Sequence, residues 1–152
     1  LSISNNLSIS NKRKSGYIDA LLKAGMKVDN NLVVECTNDD TQNKHKIQQL
    51  LRRKNKPDAI FASVEKLALS TYELCREMNI KIPRQLKILG FSNLQTANML
   101  NPSLTTITQP AYEMGREAAS ILFKLIEKKG FNLIMENTRV DSSLIIRDST
   151  RI

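Results

Sequence analysis

The sequence predicts an α/β domain built on a parallel sheet with crossover helices. Short apolar runs at Asp58–Ala62 and Leu86–Phe91 alternate with helical patterns of about 12–15 residues, the signature of a parallel sheet wound with helices. Parallel pairing demands right-handed strand–helix–strand crossovers, so each helix needs a strand on both sides in sequence. Length agrees, since 152 residues suffice for one independent core. With four Phe, three Tyr and no Trp, that core must be mainly aliphatic.

Residues 1–11 are too polar to read as a strand. They begin a near-repeat, Leu1-Ser-Ile-Ser-Asn-Asn6 then Leu7-Ser-Ile-Ser-Asn-Lys12, too short and with too few copies for a solenoid. From Lys12 the spacing predicts a first helix, with Tyr17, Ile18, Leu21 and Leu22 on one face and Gly25 as its left-handed terminator. Leu32-Val33-Val34 is a short β-branched run. Asp39-Asp40 offers caps for a second helix with Ile47, Leu50 and Leu51 as its buried stripe, ended by the basic stretch 52–56 and Pro57.

The strand Asp58–Ala62 is followed by Ser63, a candidate cap, and by Glu65, whose charge suits the first turn of a helix. Along that third helix Leu67, Thr71, Leu74 and Met78 form a stripe flanked by Ala68, Tyr72 and Cys75, and Pro83 closes the connection to Leu86–Phe91. After an irregular stretch at Ser92–Pro102 comes the extended Leu104–Thr108. Pro110 suits the first position of the strongest helix, whose wide apolar face holds Ala111, Met114, Gly115, Ala118, Ile121, Leu122, Leu125 and Ile126 before Gly130 caps it. Two β-prone runs, Leu133–Met135 and Leu144–Ile146, precede a polar end. The first helix lacks a convincing strand before it, and the chain begins at Leu1 rather than Met, so an upstream part is expected.

Several function classes lose support. No apolar run approaches the ~20 residues that span a bilayer, and no basic-then-apolar leader is visible. Cys36 and Cys75 form no CxxC unit and read as two reduced thiols. Net charge is +8, in clusters at Lys12–Lys14, Arg52–Lys56 and Lys124–Lys129, but no interleaved aromatics or base-reading motifs accompany them, so solvated helix ends are the favoured reading. His45 lies alone in a polar helical segment, and no ligand spacing for a metal is found. The five dispersed glycines build neither GxGxxG nor a P-loop, and Gly90-Phe91-Ser92 is no nucleophile elbow. The expectation is a binding protein, not an enzyme, with no cofactor and no metal.

The remaining polar residues collect at the carboxyl ends of the strands, where open α/β sheets bind ligands. Ser63, Val64 and Glu65 follow one strand, Ser92 and Asn93 the next, and Arg13 should reach the same edge. Capping for Ser63 and loop hydrogen bonding for Asn93 are the purely structural alternatives.

Taken in order, these motifs resemble the lactose/galactose repressor (LacI/GalR) family. Arg13-Lys-Ser-Gly-Tyr17 with Ala20-Leu21 is similar to its R-x-x-G-[FY]-x-x-A-L segment. Pro57–Ala62, Ile82-Pro83, Ile88–Phe91, Pro102–Pro110, Met114-Gly115 and Ala118-Ala119 follow in family order, and Leu144–Thr150 is similar to its closing L-I-x-R-x-S-T. The resemblance runs from about residue 6 to the end.

It implies a partial type I periplasmic-binding-protein-like fold with helices on both faces of the sheet. Residues 1–108 would be the second lobe without its first strand, 109–137 a strand–helix excursion into an otherwise absent first lobe, and 138–152 the return and tail. A DNA-binding head would lie outside this chain, so operator DNA would be a partner only through that head. The implied ligand is a small-molecule effector, a sugar or sugar derivative, in a cytoplasmic homodimer with no membrane partner. Arg13 matches the family's ligand-contacting arginine. Val64-Glu65 stands where an Asn-Asp pair is usual, Ser92 where an aspartate is common, and Asn38 near a further contacting loop. Leu69, Tyr72, Leu94, Met99 and Leu100 fall on the implied dimer patch, with burial in their own lobe as the alternative for Leu100. A periplasmic-type solute-binding protein is the other reading.

Overall fold

A computed structural model describes residues 1–3, 8–127 and 138–151. The chain runs β1 (Ser2–Ile3), α1 (Ser8–Lys23), β2 (Glu35–Cys36), α2 (Asp40–Leu51), β3 (Ala59–Ala62), α3 (Glu65–Glu77), β4 (Lys87–Phe91), β5 (Thr105–Thr108), α4 (Ala111–Glu127) and β6 (Ser143–Ile145). Single 3-10 turns occupy Asn30–Leu32 and Gln95–Asn98.

Helix boundaries follow local chemistry. Gly25, two residues past the end of α1, takes φ 69°, the left-handed conformation that glycine adopts without a Cβ clash. Asp39 caps α2 by accepting the Gln42 N–H at 3.1 Å. Asn43, fully buried, then accepts the Thr37 N–H at 2.8 Å and returns its amide to the Thr37 carbonyl at 2.8 Å, which fixes the loop after β2. The β-branched run at Leu32–Val34 is not itself a strand. Asp29 draws the Asn31 N–H into a 3-10 turn at 2.8 Å, and pairing starts only at Glu35.

β3, β4 and β5 pair in parallel, and β6 returns antiparallel to β5. β1 pairs in parallel with β2. The polar opening segment therefore does supply a strand. Leu1 ties this pair to the larger sheet, donating to the Phe61 carbonyl at 2.7 Å and accepting the Ser63 N–H at 2.9 Å.

Alternation along β3 and β4 sends side chains to opposite faces. Ile60, Ala62, Ile88 and Gly90 turn toward α3, where they meet Leu67, Ala68, Leu74 and Cys75 in the buried core. A Cβ on Gly90 would stand 3.3 Å from the Ala68 Cβ, so glycine is what lets α3 lie this close to β4. Phe91 takes the other face and meets Arg13 of α1. Helices thus cover both faces, and Ile47, Leu50 and Leu51 of α2 extend the same core.

The closing Arg147–Thr150 segment is a staple. Ser149, fully buried, donates to the Ile88 carbonyl at 2.6 Å and accepts the Thr105 N–H at 2.8 Å. Arg147 donates to the Leu104 carbonyl at 2.7 Å and to Thr106 Oγ1 at 2.9 Å. α4 is the opposite case. None of its residues is buried, and Met114, Leu122, Phe123 and Ile126 are all exposed. Gly130 and the run Leu133–Met135 lie outside the described residues.

Candidate functional site

The carboxyl ends of β3 and β4 and the end of β5 frame an open cavity of about 200 Å3 lined by Arg13, Val64, Glu65, Phe91, Ser92, Asn93 and Gln109. Arg13 is brought there by the first turns of α1. Its Nη1 donates to the Ser63 carbonyl at 2.6 Å, and its guanidinium carbon stands 3.9 Å from the Phe91 ring centre. These contacts fix a planar multi-donor cation against an aromatic face. Partial burial lowers its pKa from the ordinary arginine value, since desolvation disfavours the charged form.

Glu65 enters from the first turn of α3, where a carboxylate suits the helix dipole. Its Oε2 accepts a 2.6 Å hydrogen bond from Ser92 Oγ. Ser92 Oγ in turn accepts the Leu94 N–H at 2.9 Å, so the hydroxyl links α3 to the loop after β4. Asn93 is committed on both sides of its amide: it accepts the Gln109 N–H at 2.7 Å and donates to the Gln109 carbonyl at 2.8 Å.

Arg13, Val64, Glu65, Ser92 and Asn93 are therefore brought together, while Asn38 and Ser63 do not line this cavity. Asn38 gives its carbonyl to Lys66 Nζ at 3.1 Å. Ser63 does not cap α3. Val64 holds the cap position without a side-chain bond, and Ser63 Oγ is buried with no hydrogen-bond partner. Sequence reasoning missed Phe91 and Gln109. The signal for Phe91 was the two-residue alternation along β4, which puts it opposite Gly90 on the α1 face. Gln109 carried only its place at the end of β5.

The residues expected in a dimer patch divide. Tyr72, Leu94 and Leu100 pack partly buried against their own core, and the Tyr72 hydroxyl donates to the Pro102 carbonyl at 3.0 Å. Burial raises the Tyr72 phenol to about 12. Leu69 lines a groove between α2 and α3 with Asp40, Lys44 and Glu73, and Met99 stands 76 % exposed.

The cavity lining combines a cation, Arg13, a carboxylate, Glu65, and the apolar Val64, a set suited to hydrogen bonding a polar molecule. His45 lies on α2 beside Gln49, away from this cavity. Among the described residues no group of His, Cys, Asp or Glu gathers to hold a metal. None of the described helices is long and apolar enough to cross a membrane.

A fold of this layout, with polar residues gathered at the strand ends, defines a ligand-binding module. The model of the periplasmic binding protein-like domain matches residues 2–150, and the chain belongs to that family. Its relatives include transcriptional regulators of the LacI type. The transcriptional repressor CytR of Escherichia coli K12 is 34 % identical over 139 residues, 91 % of this chain and 40 % of the repressor. Catabolite control protein A of Priestia megaterium is 30 % identical over 88 % of this chain and 38 % of its own length. A solved LacI-family sugar-binding transcriptional regulator from Escherichia coli, complexed with phosphate, superposes with a TM-score of 0.84 at 25 % identity, over 97 % of this chain and 52 % of that one. The chain spans about 40 % of the length of the curated relatives it matches.

Proposed function

We propose that this chain forms one wall of an effector pocket, and part of a dimer contact, in a cytoplasmic LacI-type transcription regulator that binds and does not turn over its ligand. The observation that carries the reading is the joint presentation of Arg13 and Glu65 at the carboxyl edge of the sheet. A guanidinium held on Phe91 offers donors to a ring hydroxyl or carboxylate, and the Glu65 carboxylate accepts hydroxyl protons, so the ligand class is a sugar or sugar derivative. Ser92 and Gln109 complete the polar lining, and Val64 supplies an apolar stop.

Residues 1–108 and 138–152 form the second lobe, which holds this wall, and 109–137 belong to the first lobe, which closes over it. The unburied apolar face of α4 and the stapled return of 147–150 support that division. Effector bound between two lobes shifts their relative angle, which in such a regulator sets the spacing of DNA-reading heads and hence operator binding. Dimerisation through Met99 and Leu69, with Leu94, Leu100 and Tyr72 beneath them, places the moving lobe next to its symmetry mate.

Ligand-observed NMR of this chain against pentoses, hexoses, sugar acids and nucleosides tests the pocket. A binder whose saturation-transfer signal vanishes in Arg13→Ala and weakens in Glu65→Gln supports it. Equal signals from the wild type and Arg13→Ala place the ligand elsewhere.

A further inference from the structure

The neutral side chains that line the cavity at the strand ends have little left to offer a ligand. Val64 is apolar. Ser92, 5 % exposed, gives its only proton to Glu65 Oε2 at 2.6 Å and accepts the Leu94 N–H at 2.9 Å. Asn93 commits both ends of its amide to the Gln109 backbone, at 2.7 and 2.8 Å. The groups that would read a pattern of ring hydroxyls are thus largely engaged within the protein. Of the neutral polar side chains in the lining, Gln109 alone remains.

The charged side chains are the opposite case. Arg13 is anchored by the Ser63 carbonyl and the Phe91 ring, and Glu65 by Ser92, so neither is held by the other. Every anchor is a contact within the described residues, between α1, α3 and the ends of β3 and β4. Among those residues no ion pair joins the two, which sets their charged atoms more than ~4 Å apart. Desolvation lowers the Arg13 pKa, whereas a paired carboxylate would raise it. Glu65 Oε1 and the remaining Arg13 N–H groups have no protein partner among the described residues.

Two opposite charges held apart on one small cavity, with an apolar side chain beside them, select among ligands by charge. A neutral sugar offers dipoles to both and neutralises neither. Once water is removed from such a site, each uncompensated charge is costly. A lone anion meets Arg13 but is repelled by Glu65, and a lone cation meets Glu65 but is repelled by Arg13. A zwitterion answers both, and the carbon that carries its charged groups can lie against Val64.

We propose that, granted the pocket reading above, the effector is a zwitterionic sugar derivative of the amino sugar acid class, with its ammonium group on Glu65 and its acid group on Arg13. Glu65 is then the residue that sets specificity against neutral sugars and simple sugar acids.

Amide-shift titrations of this chain by NMR, at low ionic strength and pH about 6.5, compare four probes. Glucosaminic acid carries both charges, gluconate and glucosamine one each, and glucose none. Glucosaminic acid should bind about threefold or more tighter than each of the others, and ~0.5 M salt should remove most of that margin. Two variants add a readout that misfolding cannot imitate. Glu65→Gln should bring gluconate level with glucosaminic acid, and Arg13→Gln should do the same for glucosamine. Glucose binding as tightly as glucosaminic acid, with a loss in Arg13→Gln, overturns the zwitterion and leaves the pocket reading standing. Gluconate binding more tightly than glucosaminic acid overturns it as well, in favour of a plain anion site. Shifts equal in wild type and Arg13→Gln for all four probes, or no shifts at all, remove the pocket itself and the zwitterion with it.

Discussion

Ser149 makes two buried hydrogen bonds with one hydroxyl, to the Ile88 carbonyl and from the Thr105 N–H. Removing it strands both backbone groups away from water. Ser149→Ala should cost about 1–3 kcal/mol, read as a lowered midpoint in urea with an unchanged slope. The closing R-x-S-T pattern is thus a fastening of the tail and not part of the ligand wall, a distinction the sequence alone did not draw. Tyr72 gives a pH signature. Its phenol ionises near 10 when unfolded and near 12 when folded, because burial favours the neutral form. Between those values the unfolded chain sheds a proton that the folded chain keeps, so stability is fully present below pH 10 and falls as pH rises toward 12. Cys75, raised from 9.0 to about 11 by burial, adds loss of the same sign over its own window. Urea midpoints from pH 9 to 12 should fall less steeply in Tyr72→Phe, and an equal slope would remove Tyr72 as a cause. Arg13 and Glu65 were legible because their neighbours form recognisable runs. Phe91 and Asn43 were not, since an aromatic at a strand end and an Asn inside a helix gain their roles only from residues distant in sequence.

Elements were legible where period and caps agreed. α2, α3, β3 and β4 fall where the apolar spacing and the Asp39, Glu65 and Pro83 signals put them. The failure is instructive at the start of the chain. Ser2-Ile3 is strand, yet the identical Ser8-Ile9 is helix, so local propensity decided neither. Partners did: Ser2 and Ile3 pair with β2 and follow Leu1, which bonds to Phe61, while Ser8–Asn11 run on into the α1 pattern. The contrast between α3 and α4 makes a prediction. Leu67 is fully buried among the core residues, so Leu67→Ala should cost about 2–5 kcal/mol. Phe123 and Ile126 are 60 % and 71 % exposed, so in this chain Phe123→Lys with Ile126→Lys should change stability by no more than about 0.5 kcal/mol. The same pair should lower binding of a hydrophobic dye, because it breaks the apolar stripe that α4 leaves without cover. A large loss of stability in that double variant would mean that α4 is covered within this chain, and would end its assignment to the first lobe.

At the scale of the whole molecule, one wall is not a pocket. Ligand sites enclose most of a small ligand's surface, usually in 300–1,000 Å3 of concave space. The wall described here is open and about 200 Å3, carried by a chain that spans about 40 % of its curated relatives. A sugar held by Arg13 and Glu65 from one side keeps its opposite face in water and gives up little hydration, so its affinity is set by a few exposed hydrogen bonds. Dissociation constants on the order of 1–10 mM follow if these net about 3–4 kcal/mol in all. Linkage then limits the thermal effect. At a ligand concentration equal to the dissociation constant the native state gains RT ln 2, about 0.4 kcal/mol, which for a domain of this size is a rise of about 1–2 °C. A 10 mM sugar should therefore raise the midpoint by about 1–6 °C at most across that range, and the shift should disappear in Arg13→Ala. Enclosure by the first lobe would turn the same contacts into a much tighter site, since water is excluded from charge-assisted bonds that are merely exposed here. A micromolar ligand that stabilises this chain by 10 °C would refute the one-wall account directly, because it would require an enclosed site that Arg13, Glu65, Ser92 and Gln109 do not make.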